Sequence, residues 1–296
     1  MHINMKYYIV SIGAIFISLG IGVLVGFNIN DNQLLYDQQA GIITDLEEEF
    51  DKFKTLNKEL EDNLALTNAN YEKTLEFIKL NFSEIISDKL VDKNIGIIST
   101  NEKNKYTQNI AGLVKDAGGN VSFDIVIDSS IQNEETLKTV SELIGKEIKT
   151  SDDIVKYIGN LLNDETGKSK LEELEENNII KINSIDEAYT NYSEVVLAGG
   201  SDGKVGTESF EKIDLNLINT LKENEKSIVG IQQSTSKINY SDLYFEQKIS
   251  SIDNMDDVLG ELSLVLLLQN SNILGQFGML ENAESIIPYN AISKEN

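Results

Sequence analysis

The residues of this chain whose types could support chemistry fall mainly in two loops. The first loop, Gly199–Gly203 (GGSDG), follows an apolar run and precedes a helical pattern. Loops of this kind bind anions at the edge of α/β sheets, but this one matches neither the dinucleotide fingerprint nor the Walker A motif. We therefore favour a glycine turn required by backbone geometry. A ligand rim is the alternative, with candidate residues Gly199, Gly200, Ser201 and Ser234.

The second loop, Ser234–Ser236 (STS), follows the next apolar run and is expected on the same rim. Its hydroxyl groups either hold a polar ligand or are simply solvated. A nucleophilic serine needs a base, and the single histidine, His2, lies on the far side of the apolar segment described below. The sequence therefore predicts a protein that is not an enzyme and that holds no cofactor.

Metal ligands are equally scarce. The chain has no cysteine, and beyond the apolar segment its methionines are Met255 and Met279. Cu(I) prefers clusters of Cys or Met, and Cu(II) prefers imidazole, so only His2, beside the α-amino group, could chelate Cu(II), and weakly. The acidic pairs Asp152-Asp153 and Asp256-Asp257 stand at predicted helix starts, where they complement the helix dipole. We expect no metal site, with copper as an indirect partner.

Charge excludes one class of partner. The 296 residues include 49 acidic and 25 basic side chains, which gives a formal net charge of -24. Such a surface repels phosphate backbones, so DNA and RNA are excluded. After the N-terminal helical segments are subtracted, about 200 residues remain, enough for one well-buried domain.

The elements that would position these loops alternate between strands and helices. Apolar, β-branched runs predict buried strands at Asn94–Ser99, Val121–Ile127, Glu194–Ala198 and Ser227–Gln232, with short strands at Ile179–Ile182 and Lys248–Ile252. Helices are expected at Lys105–Ala117, Asn133–Leu143, Ser151–Leu162 (capped by Ser151-Asp152-Asp153), Lys170–Glu176, Thr207–Glu223 and Met255–Gln269, and a polar connection at Gln233–Tyr244. Residues 91–296 therefore predict an α/β domain, a Rossmann-like or flavodoxin-like three-layer sandwich with a mostly parallel sheet.

An uncharged apolar segment, Tyr7–Phe27, precedes this domain. At 1.5 Å per residue it spans about 30 Å, the thickness of the bilayer hydrocarbon. A cleaved signal has a shorter apolar region, about 7–15 residues, so we predict that residues 1–30 form a cytoplasmic N-terminus and a retained transmembrane anchor. A cleaved signal is the alternative. Lys6 before the segment and the acids after it predict a single-pass protein of the cell membrane with its main domain extracytoplasmic.

Small residues repeat at every fourth position of the anchor, at Ala14, Ser18, Gly22 and Gly26. The last two form a GxxxG motif, which lets two helices approach closely in lipid. Small residues are also common in membrane helices generally. The pattern thus leaves both a self-associating and a solitary anchor open.

Residues 31–90 predict a long helix. Apolar residues recur there with heptad spacing, at Leu35, Ile42, Leu46, Phe53, Leu56 and Leu60. After a stutter the pattern continues in a shifted phase through Tyr71, Leu75, Ile78, Phe82 and Ile85. We favour a coiled-coil stalk, either a homodimer or a pair with a coiled-coil protein partner; a single helix packed on its own domain is the alternative.

The two ends of the chain resemble a known family. The opening, YYIVSIGAIFISLGIGVLVGFNI, and the ending, SIDNMDDVLGELSLVLLLQNSNILGQFGMLENAESIIP (Ser251–Pro288), are similar to those of the MctB-type copper transporter family of bacterial envelope proteins. The order of anchor, coiled coil and α/β domain also fits. The resemblance implies a role in copper transport or homeostasis at the cell envelope.

The chain departs from that implied role in its chemistry, because it lacks copper ligands and a single spanning helix forms no pore by itself. The alternative is a non-enzymatic adaptor whose coiled coil pairs with cell-wall or cell-division machinery. Both interpretations predict a protein that works through protein–protein contact.

Overall fold

The computed structural model describes residues 5–100, 109–127, 129–200 and 207–288, with the backbone alone at 28–34. The chain divides into two compact units, Met1–Thr74 and Leu75–Asn296. Helix α1 (Met5–Ile86) supplies the described part of the first unit. It is continuous through residue 30, where the sequence analysis places the end of the anchor.

The amino-terminal part of α1 is the apolar segment identified in the sequence. Met5–Phe27 has a mean hydropathy of 2.5, and other parts of the protein bury none of it. It is the one helix of the described chain that is both long and apolar enough to cross a membrane. A segment of this length and composition suits a bilayer better than water.

Within the described residues, the second unit contains one seven-stranded sheet. Its strands are β1 (Asn94–Ser99), β2 (Asn120–Val126), β3 (Lys181–Ile185), β4 (Glu194–Ala198), β5 (Ser227–Ile231), β6 (Ser250–Ile252) and β7 (Gln276–Phe277). Their spatial order is β3-β2-β1-β4-β5-β6-β7, and every pair is parallel except β2 with β3. Without the antiparallel edge strand, this is the flavodoxin-like order extended by one strand.

Helices cover both faces of the sheet. They are α2 (Ile110–Asp116), α3 (Glu134–Ile144), α4 (Ser151–Leu161), α5 (Lys168–Glu176), α6 (Leu215–Glu223), α7 (Tyr240–Glu246) and α8 (Val258–Gln269). On one face Ile98 and Phe123 pack in a core with residues of α3 to α7. On the other, Ile97 and Val196 pack with α2, α8 and the end of α1. The predicted three-layer α/β sandwich is therefore confirmed.

The last turns of α1 belong to this α/β unit. Leu75 is 7% exposed and packs with Val258 and Leu259 at the start of α8, with Phe82 beside them. Ile86 lies in the core on the same face of the sheet. Four of the five shifted-phase residues predicted to continue the coiled coil, Leu75, Ile78, Phe82 and Ile85, therefore pack on their own domain.

Helix α7 occupies a segment that the sequence analysis predicted to be a polar connection. Asn239 begins it, accepting a hydrogen bond on its side chain from the Ser241 backbone N–H at 3.0 Å. Tyr240 and Tyr244, one turn apart, are both buried in the core. Burial of these two aromatic side chains thus stabilises a helix although most residues of the segment are polar.

Several other boundaries differ from the prediction by a few residues, and two of them have a clear structural cause. The cap of α4 is Thr150 rather than the predicted Ser151-Asp152-Asp153, since Thr150 and Asp153 exchange the paired bonds of a capping box. The antiparallel strand β3 lies at Lys181–Ile185 rather than Ile179–Ile182. Ile179 and Ile180 are buried before the strand begins. Their apolar side chains therefore pack in the core from the preceding turn and not from the strand.

Candidate functional site

The strand order reverses between β1 and β4, and the carboxyl edge beside this point is where open α/β sheets bind ligands. Thr100 follows β1 there and Gly199 follows β4. The Thr100 N–H donates to the Ala198 carbonyl at 2.9 Å, and the Gly199 N–H donates to the Ile231 carbonyl at 3.0 Å. The backbone ladder thus continues past the strands and fixes both residues at this edge.

Asp214 brings a carboxyl group beneath the same edge. Asp214 is buried, with 1% of its surface exposed. The Tyr244 hydroxyl donates to Asp214 Oδ1 at 2.6 Å, and the Thr100 hydroxyl donates to the same oxygen at 3.1 Å. The other oxygen, Oδ2, is buried without a hydrogen-bond partner among the described residues. Three residues far apart in sequence therefore meet at one carboxyl group.

A local helix irregularity positions Asp214. Residues Phe210–Asp214 form a π-helical turn that leads directly into α6. Phe210, Ile213 and Leu217 from this stretch are buried in the core. Asp214 shares their buried face, so the apolar packing that holds the helix also carries the carboxyl group into the interior. Such π-helical turns are frequent at functional sites.

Burial raises the pKa of Asp214 to about 7. The hydrogen bonds from Tyr244 and Thr100 act in the opposite direction because they stabilise the carboxylate. Below pH 7 the buried group is therefore mostly the neutral acid. A neutral acid can donate a hydrogen bond as well as accept one.

The two predicted glycines line this cluster for steric reasons. A Cβ on Gly199 would stand 2.1 Å from the Tyr244 hydroxyl and 2.9 Å from Asp214 Oδ1. Gly200 has φ +95, a conformation that glycine tolerates best, and a Cβ there would stand 2.7 Å from the Ser236 hydroxyl oxygen. Gly199 is therefore required by close approach, and Gly200 by both its backbone conformation and close approach.

The remaining candidate residues of the rim do not all lie beside the Asp214 cluster. Ser234 follows β5 at the same edge, but its backbone N–H and hydroxyl both donate to the Asp256 carboxylate, at 2.6 Å and 2.7 Å. Ser236 has a buried hydroxyl oxygen that lies beside Gly200. Ser201 lies outside the described residues, as does His2.

The chemistry available at this edge is hydrogen bonding around a neutral acid. Among the described residues, no group of three or more His, Cys, Asp or Glu side chains could hold a metal ion. Asp214, Thr100 and Tyr244 were not predicted from the sequence, although one signal was present: Asp214 occupies a helix position between apolar neighbours, four residues after Phe210. A charged residue on an otherwise apolar helix face marks a buried polar site.

The small residues of the anchor lie along one exposed helix. The Ser18 hydroxyl donates to the Ala14 carbonyl at 2.9 Å, so its proton is bonded within the helix. A Cβ on Gly22 or Gly26 would meet no atom within 4 Å. Packing within this chain therefore does not require glycine at positions 22 and 26.

The predicted coiled-coil residues form an exposed apolar seam on α1, which we call the α1 seam. Each is more than half exposed: Leu35 54%, Ile42 58%, Leu46 61%, Phe53 61%, Leu56 52% and Leu60 57%. Further exposed apolar side chains, Ile43 and Phe50, lie beside it. No residue of the chain described here covers this face.

A comparison with protein families identifies the chain. The family described as "Copper transport outer membrane protein, MctB" matches residues 2–288, nearly the whole sequence. The chain belongs to the MctB family. No curated protein matches the chain. Membership agrees with the resemblance drawn from the two ends of the sequence, and makes this a copper transport-related envelope protein at the level of its family.

The carboxy-terminal motif on which that MctB resemblance rested has a structural role. Both carboxylate oxygens of Asp253, directly after β6, accept backbone N–H groups, from Met279 at 2.8 Å and Leu280 at 3.0 Å. Gly278 has φ +135, and a Cβ there would stand 2.0 Å from Asp253 Oδ1. A Cβ on Gly260 would stand 2.1 Å from the Asn254 carbonyl. The motif therefore locks the chain after β7 onto the sheet edge.

Proposed function

We propose that this protein takes part in copper transport or homeostasis at the cell envelope as a membrane-tethered component that does not itself coordinate the metal. Membership of the MctB family over residues 2–288 supports this role most directly. The chemistry of the chain supports the second half of the proposal. It has no cysteine, Met255 is 4% exposed in the core, and Met279 stands alone at the surface of the C-terminal segment.

The tether in this proposal is the apolar segment Met5–Phe27, in a single pass. Lys6 is its flanking basic residue, whereas acids dominate the chain that follows. The positive-inside bias then keeps the N-terminus in the cytoplasm and the α/β domain outside it. In this arrangement the protein acts as a structural or binding component rather than as an enzyme.

Protein–protein contact through α1 is the proposed working mode. The α1 seam leaves a heptad-spaced row of large apolar side chains exposed, and burying such a row is favourable by about 25 cal/mol per Å² of apolar surface. We propose a parallel homodimer, supported by the small-residue face of the anchor. A different coiled-coil protein could bind the same seam.

A second candidate function is an adaptor for cell-wall or cell-division machinery. The exposed α1 seam favours it, as does the scarcity of copper ligands in the sequence. In this alternative the family role in copper transport would reach the protein only through its partner.

Deletion of the gene in its native cell tests the two proposals. Under the copper proposal, cell-associated copper and copper tolerance change on deletion and return with the wild-type chain. A chain with Leu46→Glu in the α1 seam should fail to restore them, whereas the matched change Thr44→Glu on the opposite face should restore them. Unchanged copper content together with altered cell shape or envelope integrity would contradict the copper role and favour the adaptor.

A further inference from the structure

A cavity of about 260 Å³ opens at the amino edge of the sheet, opposite the edge that carries Asp214. The starts of β5 and β6 form its floor, and the segment after α8 forms one wall. Three lysines line it: Lys222 in the last turn of α6, Lys226 before β5, and Lys248 before β6. A cluster of this kind is unexpected in a chain with 49 acidic and only 25 basic residues.

Two of the three ammonium groups are held in place by neutral partners. Lys226 Nζ donates to the Tyr192 carbonyl at 2.7 Å and lies 4.1 Å from the centre of the Tyr192 ring. Lys222 Nζ donates to the Gln247 carbonyl. An ammonium group has three donors, so each retains donors for a ligand after these contacts.

The positive charge of the cavity is not neutralised by the described residues. Among them, no carboxylate lies within 4.0 Å of the Nζ of Lys222, Lys226 or Lys248. The one acidic residue in the lining, Glu194, pairs with Lys93 at 2.6 Å. Burial lowers the pKa of Lys222, and the nearby charge of Lys248 lowers it further. An anion in the cavity would relieve this repulsion.

The other walls narrow the class of anion. Ile249, Ile273 and Leu274 present apolar surface to the same cavity, and Ser271 and Asn272 lie at its side. A phosphate group carries about -1.5 to -2 charges at neutral pH and offers three acceptor oxygens, which matches three ammonium donors better than a single carboxylate does. We infer that this cavity binds a small organic phosphate monoester, with its phosphate among the three lysines and its apolar part against Ile273 and Leu274.

Calorimetric titration of the full chain in nanodiscs with phenyl phosphate tests this site. The variant K222Q/K248Q removes two exposed ammonium groups, and the matched control K138Q/K170Q removes the same charge from exposed lysines elsewhere. Each lost charge-assisted hydrogen bond weakens binding by about tenfold. We therefore expect at least about tenfold weaker binding in the first variant, with wild-type affinity in the control.

Two further probes define the ligand. Benzoate keeps the apolar ring with a single charge, and inorganic phosphate keeps the charge without the ring, so both should bind more weakly than phenyl phosphate. No saturable binding of phenyl phosphate to the wild-type chain, or equal weakening in the two variants, would overturn the site. Equal affinities for phenyl phosphate and inorganic phosphate would overturn the monoester assignment.

Discussion

The buried acid Asp214 couples the stability of the α/β domain to pH. Its pKa is about 7 in the folded protein against 3.8 for the unperturbed group. Between these values the folded state holds a proton that the unfolded chain has lost. The stability contributed by this group is therefore complete below about pH 4, decreases between pH 4 and 7, and is lost once the pH has risen through the folded-state pKa of about 7.

Replacing Asp214 with Asn should remove this pH dependence, because the amide cannot ionise and has nearly the shape of the neutral acid. The wild-type chain is expected to lose up to about 4 kcal/mol of unfolding free energy from this group between pH 4 and pH 8. Denaturant unfolding at a series of pH values measures the difference. The exposed change Asp116→Asn is the matched control and should leave the wild-type slope intact. An unchanged slope in D214N would contradict the assignment.

Gly199 offers a steric test of the same cluster. Gly199→Ala places a methyl group 2.1 Å from the Tyr244 hydroxyl and 2.9 Å from Asp214 Oδ1, so the contact between these two side chains must be disturbed. We expect a loss of about 1–3 kcal/mol of stability, measured by denaturant unfolding. Gly112→Ala, in α2 with no atom within 4 Å of the new Cβ, should instead gain roughly 0.5–1 kcal/mol. Equal effects of the two changes would mean that Tyr244 is not fixed as described.

At this scale the sequence predicted only part of the candidate site. The glycine loop was recognisable because Gly199 and Gly200 follow a clear strand pattern. Thr100, Asp214 and Tyr244 were not recognisable, because the contact between them depends on the strand order and on a π-helical turn. Local patterns carry no information on which distant residues meet at one sheet edge.

At the scale of elements, prediction succeeded where burial on both faces imposes a continuous apolar run. Strands β1 (Asn94–Ser99) and β4 (Glu194–Ala198) have the predicted bounds, since both are central strands covered by helices. The two-residue strand β7 (Gln276–Phe277) and helix α7 (Tyr240–Glu246) were missed. Both are too short for periodicity to emerge, and tertiary contacts hold them in place.

The α1 seam predicts disulfide crosslinking between two copies of the chain. The wild-type sequence has no cysteine, so any crosslink reports the introduced residue alone. Ile42→Cys and Leu46→Cys should each give a covalent dimer in native membranes under mild oxidation, because seam positions face each other in a parallel pair. Thr44→Cys, on the opposite side of the helix, should remain monomeric.

Monomers at both seam positions would exclude the parallel homodimer and leave the seam to a different protein. Crosslinking of Thr44→Cys at the same rate as Ile42→Cys would show random collision rather than a defined seam. Each result distinguishes a specific coiled coil from an exposed apolar helix.

For the whole molecule, family membership and site chemistry give different kinds of information. The MctB match covers both ends and the domain between them, whereas the motif residues Asp253, Gly260 and Gly278 serve packing of the C-terminal segment. The family signal in this chain is therefore a signal of architecture. A role in copper transport can then follow one of two routes. The protein acts through contacts with other proteins, or it binds copper through ligands that lie far apart in the sequence.

Copper titration of the full chain decides between these routes. Soft Cu(I) sites need several Cys or Met ligands, and Met255 is 4% exposed in the core while Met279 is 48% exposed. We expect no Cu(I) binding able to compete with a strong Cu(I) chelator, measured by the absorbance of the chelator complex. Weak Cu(II) binding should disappear in His2→Ala. Tight, stoichiometric Cu(I) binding that survives in His2→Ala and is lost in Met279→Leu would place a copper site on the α/β domain and contradict indirect handling.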